Sequence, residues 1–554
     1  MRILAFTALA LGFGLTAIQL SACSNSADDC NATATCGATA GTSPAGSAGK
    51  SGSGSTDAGG SNGGSSSTAG SSSTSGSAGV MGGGGEGGGG GTACTGDVSD
   101  DSACWTTNDL GVFVSSDTGD DTTGNGTKEM PFKTITKGIA SASGKNVYVC
   151  VGAADYSEKI SLDLASDGIH IYGGFECSGW TYATTRSAQV LSPSNIALRI
   201  DGLKKGAHIE NVSFKAADAT GTGTDASSYG AFVTNAKGVE LTRVELTAGD
   251  GAKGVDGSPG MKGADGDLAG SPPVGKTGDC DAPPTSLAGG LWAQESSCGS
   301  LGGKGGDAGR SDGGPGLGGT PTTHVTPLDK ETGKGGSGST DGTNGKDGSP
   351  GMSGDAGAAG TEAPAAGLFS ASGFALADGK MGASGFPGQG GGGGGASMGR
   401  SDVNITCVGA SGGAGGMGGC GGGPGAAGGG GGASVGMLVW SSDVSLIAST
   451  VHAGAGGAGG AGGKGGQRGL GAPGGVGGGQ DPDTVVALGG NGSGGTGGPS
   501  YALVYSGTKP VYDAGDTTLT AGTPGAAGVG GQQVSTTQAP NGSVGQSAQE
   551  FPVP

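Results

Sequence analysis

From Cys94 to about Gly249, short runs alternate apolar and polar residues with the two-residue period of a half-buried strand. They are Gly111-Val112-Phe113-Val114, Asn146-Val147-Tyr148-Val149, Lys159-Ile160-Ser161-Leu162, Gly168-Ile169-His170-Ile171-Tyr172, Ala197-Leu198-Arg199-Ile200, His208-Ile209-Glu210-Asn211-Val212 and Val239-Glu240-Leu241-Thr242. Helical spacing is scarce. Only Thr134 to Ala142, after Pro131-Phe132, predicts a short amphipathic helix, placed as a cap on the end of the β structure. Twelve of the chain's 23 aromatic residues fall between Trp105 and Phe232, so this stretch has the means to bury a core. Many short strands joined by Gly, Asn and Asp turns predict an all-β domain. It is either a sandwich or a parallel β-helix, whose coils stack and bury their inward side chains.

An internal repeat favours the stacked form. Ser228-Tyr229-Gly230-Ala231-Phe232-Val233, leading to Leu246-Thr247-Ala248-Gly249-Asp250-Gly251, is echoed by Ser434-Val435-Gly436-Met437-Leu438-Val439, leading to Val451-His452-Ala453-Gly454-Ala455-Gly456. A weaker third copy runs from Ser500-Tyr501-Ala502-Leu503-Val504 to Leu519-Thr520-Ala521-Gly522. Similarity that returns after long interruptions is expected when each copy is one coil of a solenoid and the interruptions leave from one corner. Gly290-Leu291-Trp292-Ala293, Gly367-Leu368-Phe369 and Val403-Asn404-Ile405-Thr406 read as further returns.

Two local patterns carry a family resemblance. Val112-Phe113-Val114-Ser115-Ser116, followed by Gly119-Asp120-Asp121, Gly124-Asn125-Gly126-Thr127 and Pro131-Phe132-Lys133-Thr134-Ile135, resembles the opening coil of right-handed β-helix domains of the pectate-lyase-like superfamily. Ile171-Tyr172-Gly173-Gly174-Phe175, with Trp180 downstream, is similar to a segment of glycine-rich β-helix surface lipoproteins of myxobacteria. The resemblance covers about residues 104 to 250. It implies a right-handed parallel β-helix but no single activity, because that superfamily includes lyases, hydrolases and adhesins.

The interruptions have a grammar of their own. Glycine occupies every third position at Gly251, Gly254, Gly257, Gly260, Gly263 and Gly266, and again from Gly345 through Gly348, Gly351, Gly354 and Gly357 to Gly360. From Gly454 to Gly466 two positions of each triplet are glycine, with Ala455, Ala458, Ala461 and Lys464 at the third, and Gly409 to Gly422 follows suit. A polyproline-II-type helix has three residues per turn, so whole faces of such a segment lack Cβ atoms and neighbours can hydrogen-bond laterally. Bundles of this kind resemble those of some phage fibre-tip adhesins and springtail antifreeze proteins. Collagen-like repeats are the rival grammar, as in Gly257-Ser258-Pro259-Gly260-Met261-Lys262, but the runs are short, interrupted and poor in proline. Composition alone leaves a polyglycine-II-like bundle and disorder both open.

At the N-terminus Arg2 precedes an apolar run from Ile3 to Ile18, which ends in Leu20-Ser21-Ala22-Cys23. That is the form of an export signal, and small residues before a cysteine resemble the lipobox of bacterial lipoproteins, which implies acylation of Cys23. Ser24 resembles the residue of lipoproteins sent on to the outer membrane. From Gly37 to Ala93 the chain is almost wholly Gly, Ser, Ala and Thr, which predicts a disordered, flexible tether. The expected organisation is therefore a signal peptide over 1–22, a tether over 23–93, a β-helix domain over 94–250, and continuing coils with glycine-rich inserts over 251–554.

Removing Cys23 from eleven cysteines leaves ten, an even number that suits an oxidising compartment. Proximity pairs them as Cys30 with Cys36, Cys94 with Cys104, Cys150 with Cys177, Cys280 with Cys298, and Cys407 with Cys420. There is no CxxC pair, and His170, His208, His324 and His452 lie far from zinc-site spacings, so neither metal nor cofactor is expected.

A net charge of −19 repels phosphate backbones and argues against nucleic acid as a partner. Asp97, Asp100 and Asp101, and Asp117, Asp120 and Asp121, form acid-rich loops without EF-hand spacing, and solvated turns account for them. A β-helix lyase or glycosidase needs carboxylates and a basic residue on one strand face, whereas Asp163, Asp167, Asp201 and Arg199 are scattered. No nucleophile elbow or phosphate loop is present. The balance favours a non-catalytic, lipid-anchored structural or adhesive protein of the outer membrane surface. Its expected partners are the membrane and an extracellular polysaccharide or matrix. A polysaccharide lyase or glycoside hydrolase, and an ice- or matrix-binding face of regular Ala and Gly rows, are the alternatives.

Overall fold

The computed structural model describes residues 94–554 apart from 95, 97, 267–271, 282–283, 293–295, 327–331, 341–342, 403–404, 476–487 and 534–536. All of them belong to one compact unit, Gly90–Pro554. The signal peptide, Cys23, the tether and Cys30 with Cys36 lie outside the described residues.

Three parallel sheets of seven, five and six strands carry the fold, and the chain visits them in turn. One circuit runs from Ala207–Glu210 in the first sheet to Val212–Lys215 in the second and Ser228–Thr234 in the third. The next begins at Val239–Thr242, directly beside the strand where the previous one began. Inward positions line up in columns. Val147, Ile171, Ile209, Leu241 and Leu446 form one, and Val190, Phe214, Leu246, Val451 and Leu519 form another. Nearly all of these side chains are inaccessible to solvent and belong to one continuous cluster. The alternation read in the sequence is this inward and outward choice, repeated coil after coil.

The corners also stack. Asn211 (φ 56°), Arg243 (φ 52°) and Ala448 (φ 47°) take left-handed conformations between successive first- and second-sheet strands, and Asn235 (φ 53°) and Ser441 (φ 50°) do so after successive third-sheet strands. Asparagine tolerates that region, whereas arginine, serine and alanine pay for it, so the turn is imposed by the stack.

The internal repeats are neighbouring strands: Ser228, Ser434 and Ser500 sit side by side in the third sheet, as do Tyr229, Val435 and Tyr501. All three long glycine-rich stretches leave after a second-sheet strand and return to a third-sheet strand. They follow Glu245–Thr247, Thr450–His452 and Thr518–Thr520, and precede Ser434–Trp440, Ser500–Ser506 and Ser547–Pro552. One corner thus absorbs all three glycine-rich stretches.

Three of the expected strand returns are different things. Leu368–Ser370 and Gly373–Ala375 form an antiparallel hairpin inside the first insert, and Phe369 and Phe374 cover the outer face of the third sheet against Tyr229, Phe232 and Tyr501. Ser401–Asp402 and Ile405–Thr406 form another short hairpin. The Gly290 segment is not a strand; its Trp292 packs with Ala414, Met417 and Ala472. Apolar content alone did not distinguish a coil from a cover. The expected helix spans Ile135–Ser141, with Thr134 accepting at its N-cap from the Lys137 amide, and Ile135 enters the main cluster.

Candidate functional surface

Most of the carboxylates singled out in the sequence hold turns and caps. Asp117 accepts from the Ala153 and Ala154 amides, which hold it below the ordinary carboxylate value. Asp120 accepts from Thr122 and Thr123, and Asp121 from Lys133 and Thr134. Asp101 caps Ser102–Trp105 and Asp163 caps Leu164–Ser166. Asp167 ties down the amides of Lys204, Lys205 and Gly206. Asp201 accepts from Thr234 Oγ1 at 2.7 Å and lies 4.0 Å from Arg199, and it follows Ile200, which pairs in register with Leu162 just before Asp163. Asp97 is outside the described residues. Among the described residues no group of three or more His, Cys, Asp or Glu is placed to hold a metal ion.

A buried charged cluster went unnoticed in the sequence. Glu210 is 1% exposed and bonds Tyr182 Oη, Arg243 Nη2 and, at 3.1 Å, His208 Nε2. The other ring nitrogen of His208 is 3.2 Å from Glu240. Asn211 completes the group, accepting from Tyr182 and from Arg243 Nε at 2.9 Å and donating to the Thr184 and Arg186 carbonyls. Burial pushes the Glu210 carboxyl up, but the His208 and Tyr182 hydrogen bonds and the Arg243 charge outweigh it, so the group stays ionised, below its ordinary value. Such a carboxylate is a poor general acid, because its proton is held off by partners that also fill its lone pairs. The cluster ties the loop around Tyr182 to two successive corners. In sequence Glu210 is merely the polar member of an alternating strand; His208 is two residues away, but Tyr182 and Arg243 lie 28 and 33 residues away.

The inserts form the larger feature. Gly251, Gly254, Gly257, Gly260, Gly263 and Gly266 donate to the carbonyls of Ala455, Ala458, Ala461, Lys464, Gln467 and Leu470 at 2.7–2.8 Å. Gly457, Gly460, Gly463 and Gly466 donate to Gly432, Gly429, Ala426 and Gly423, running antiparallel. These last four donate in turn to Ala252, Val255, Ser258 and Met261, closing a triangle of three segments. Each partner advances or retreats by three residues, so one third of the amides face each neighbour. A Cβ on Gly251, Gly254, Gly257 or Gly260 would come closer than 3.0 Å to a backbone oxygen, which real Cβ atoms essentially never do. Glycine is therefore required by proximity, not by unusual dihedral angles.

At the centre, residues 489–498 are buried throughout although they contain only glycine, Asn491, Ser493 and Thr496. The polar side chains there cap neighbouring peptides: Asn491 Oδ1 accepts from Gly465, and Ser493 Oγ accepts from Lys380. Outer edges carry charge in register. Lys253–Asp256, Lys262–Asp265 and Lys304–Asp307 pair at 2.7–2.9 Å, because positions three apart share a face at three residues per turn. The lysine hydrogen bond and a backbone amide hold each of these aspartates below the ordinary value.

The cysteines pin coils and inserts differently. Cys94 bonds Cys104 and Cys150 bonds Cys177, the local pairs that proximity suggests. Cys280 bonds Cys407 and Cys298 bonds Cys420, which corrects the pairing of Cys280 with Cys298 and of Cys407 with Cys420. The reason is lateral packing: segments 127 and 122 residues apart lie side by side in the insert. His170 and His208 face each other on adjacent strands, ring centroids 5.7 Å apart, while His324 stacks on Phe386.

Residues 117–254 match a known family. Its description is protein of unknown function (DUF1565). The matched region begins after the first strand, Gly111–Val114, and ends within the first triplets of the first long insert. No curated protein and no solved structure matches the chain. Among the described residues no helix is long and apolar enough to cross a membrane.

Proposed function

We propose that this chain is an exported, lipid-anchored protein of the outer membrane surface with a structural or adhesive, non-catalytic role. In this reading a right-handed parallel β-helix carries a polyglycine-II-type bundle away from the membrane on a glycine- and serine-rich tether acylated at Cys23. The observation that supports it is the insert architecture: backbone hydrogen bonds, two long-range disulfides and threefold glycine spacing join neighbouring segments laterally, with outer positions that repeat every three residues. A repeating face suits multivalent contact with an extended matrix or polysaccharide, each contact weak and the sum strong. Four disulfides agree with an oxidising compartment. Asp117, Asp120, Asp121, Asp163 and Asp167 hold turns and caps, which supports the non-catalytic reading over a lyase.

The test has two arms. Metabolic labelling with a palmitate analogue should mark the protein in the outer-membrane fraction, and Cys23→Ser should abolish the label. Pull-down on extracellular acidic polysaccharide should retain the protein while the polymer keeps its length. An unlabelled cytosolic product refutes export and anchoring, and progressive shortening of the polymer refutes the non-catalytic role.

A further inference from the structure

On the outer side of the inserts a row of amides is covered by the chain's own carboxylates, but only in part. Ala455 donates to Asp250 Oδ1 at 2.7 Å, Ala461 to Asp256 Oδ1 at 2.8 Å and Leu470 to Asp265 Oδ1 at 2.7 Å, always across 205 residues. Ala458, Lys464 and Gln467 share the phase of that row, and the residues at the same offset from them are Lys253, Pro259 and Lys262. Among the described residues these three amides have no acceptor. Those of Lys464 and Gln467 are consecutive on the row, about 9 Å apart at three residues per turn. They border an open depression of about 450 Å³ lined by Pro259, Lys262, Lys464, Gln467, Gln533 and glycines, and by no acid. Lys464 is exposed, with no ion-pair partner among the described residues. Lys262 donates to Asp265 at 2.7 Å, one of the three N–H groups its ammonium offers.

We propose that this depression binds the carboxylates of a uronic-acid polysaccharide, one over the Lys464 amide and the next over the Gln467 amide. The row itself selects the chemistry. Where the chain supplies the acid, one oxygen takes the outward amide and the other a lysine, as Asp256 does with Ala461 and Lys253. At Lys464 and Gln467 the amide and a lysine are present, and proline and lysine stand where the aspartate stands elsewhere. A carboxylate arriving there makes the same charge-assisted hydrogen bonds. The flanking acids of the row, Asp256 and Asp265, are each held by a lysine and an amide. The Ala458 amide lies between Asp250 and Asp256 on that row, so an anion is repelled from both sides, which confines the site to the other two. Gln467 and Gln533 select a sugar acid over an acidic peptide: each side-chain amide offers a donor and an acceptor, which ring hydroxyls beside a uronate carboxylate match and a glutamate side chain does not. A chain of net charge −19 repels polyanions in general, so two lysines at one place decide where such a polymer lands. The inference rests on the polysaccharide-binding reading above and names its ligand class and site.

Isothermal titration of the whole chain with hexagalacturonate tests it, with hexaglutamate and neutral maltohexaose as comparison ligands. Saturable binding of the uronate is expected, weakened by high salt and unmatched by either comparison ligand. Lys464→Gln should weaken binding about tenfold or more, and Lys464→Arg should keep it. Pro259→Asp places the chain's own carboxylate over the Lys464 amide, so it should weaken binding as strongly while slowing hydrogen exchange of that amide. Should Pro259→Asp lose its fold, the exposed Lys464→Gln decides alone. If hexagalacturonate does not bind, the proposal is overturned, while the Cys23 labelling still reports separately on export and anchoring. If the uronate binds Lys464→Gln like the unaltered chain, the site is overturned and the polysaccharide reading of the surface stands. Hexaglutamate binding as tightly as the uronate overturns the sugar-acid assignment.

Discussion

Gly460→Ala is a sharp test of how the inserts hold together. Gly460 is not among the glycines with positive φ, so alanine fits its backbone angles, and on entropy alone the change would stabilise by about 0.4–1 kcal/mol. The surroundings reverse that sign. A Cβ there would come closer than 3.0 Å to the Val255 carbonyl and the Gly254 oxygen, backbone atoms that cannot swing away. Overpacking of this kind costs about 1–3 kcal/mol. Pushing the segments apart also strains the bonds from Gly460 to Gly429 and from Gly254 to Ala458, both 2.8 Å, at about 0.5–1.5 kcal/mol each. The net expectation is a loss of about 2–5 kcal/mol of local stability. Ala458→Ser, at the outward position of the neighbouring triplet, should stay within about 0.5 kcal/mol. Hydrogen exchange reads both. Amides of residues 251–266, 423–432 and 457–466 should exchange about 30-fold to a few thousand-fold faster in Gly460→Ala and almost unchanged in Ala458→Ser. Equal exchange in the two variants would show that no threefold close packing exists, and the account of the inserts would fall.

Other outcomes follow from single features. Glu210→Gln leaves the partly exposed Arg243 without its counter-charge and should cost about 1–3 kcal/mol at neutral pH in a denaturant melt. Because the folded carboxyl titrates below its ordinary value of 4.5, that contribution is full above the unfolded value and fades as pH falls through the folded one, so the two proteins should converge in acid. Asn211→Ala forfeits a tolerated left-handed residue (φ 56°) and leaves the Thr184 and Arg186 carbonyls without their donor; a loss of about 2–4 kcal/mol is expected by thermal melting. Replacing Cys298 and Cys420 by serine opens a loop of 122 residues and should cost about 2–5 kcal/mol, read as faster exchange in the first insert with the inward columns of the coils unaffected. Lys253→Ala removes an exposed pair, worth less than about 1 kcal/mol, and its small effect should vanish in high salt.

Much of this was legible because the relevant periods are short. Alternation at Val147, Ile171, Ile209 and Leu241 is a two-residue signal that stays local, and each position is an inward rung of the first sheet. The repeats beginning at Ser228, Ser434 and Ser500 are legible for the same reason: stacked strands meet the same neighbours and keep similar side chains. The glycine triplets show a period of three by themselves, a pattern that a bundle and a disordered stretch share. In contrast, an apolar run such as Leu368–Ser370 looks the same whether it adds a coil or folds back to cover one, and only its antiparallel partner distinguishes the cases.

What the sequence determined alone is therefore which strand residues face inward and where glycine recurs every third position, with export an expectation. Tertiary structure decided who lies beside whom: Cys280 beside Cys407 and Cys298 beside Cys420, Glu210 between His208, Tyr182 and Arg243, and Gly251–Gly266 against residues 455–470. The physical reason is that a glycine triplet carries no side chain to specify its neighbour. Lateral partners are chosen by the corner at which each insert leaves the stack, by a few cross-links, and by the need to pair every buried amide.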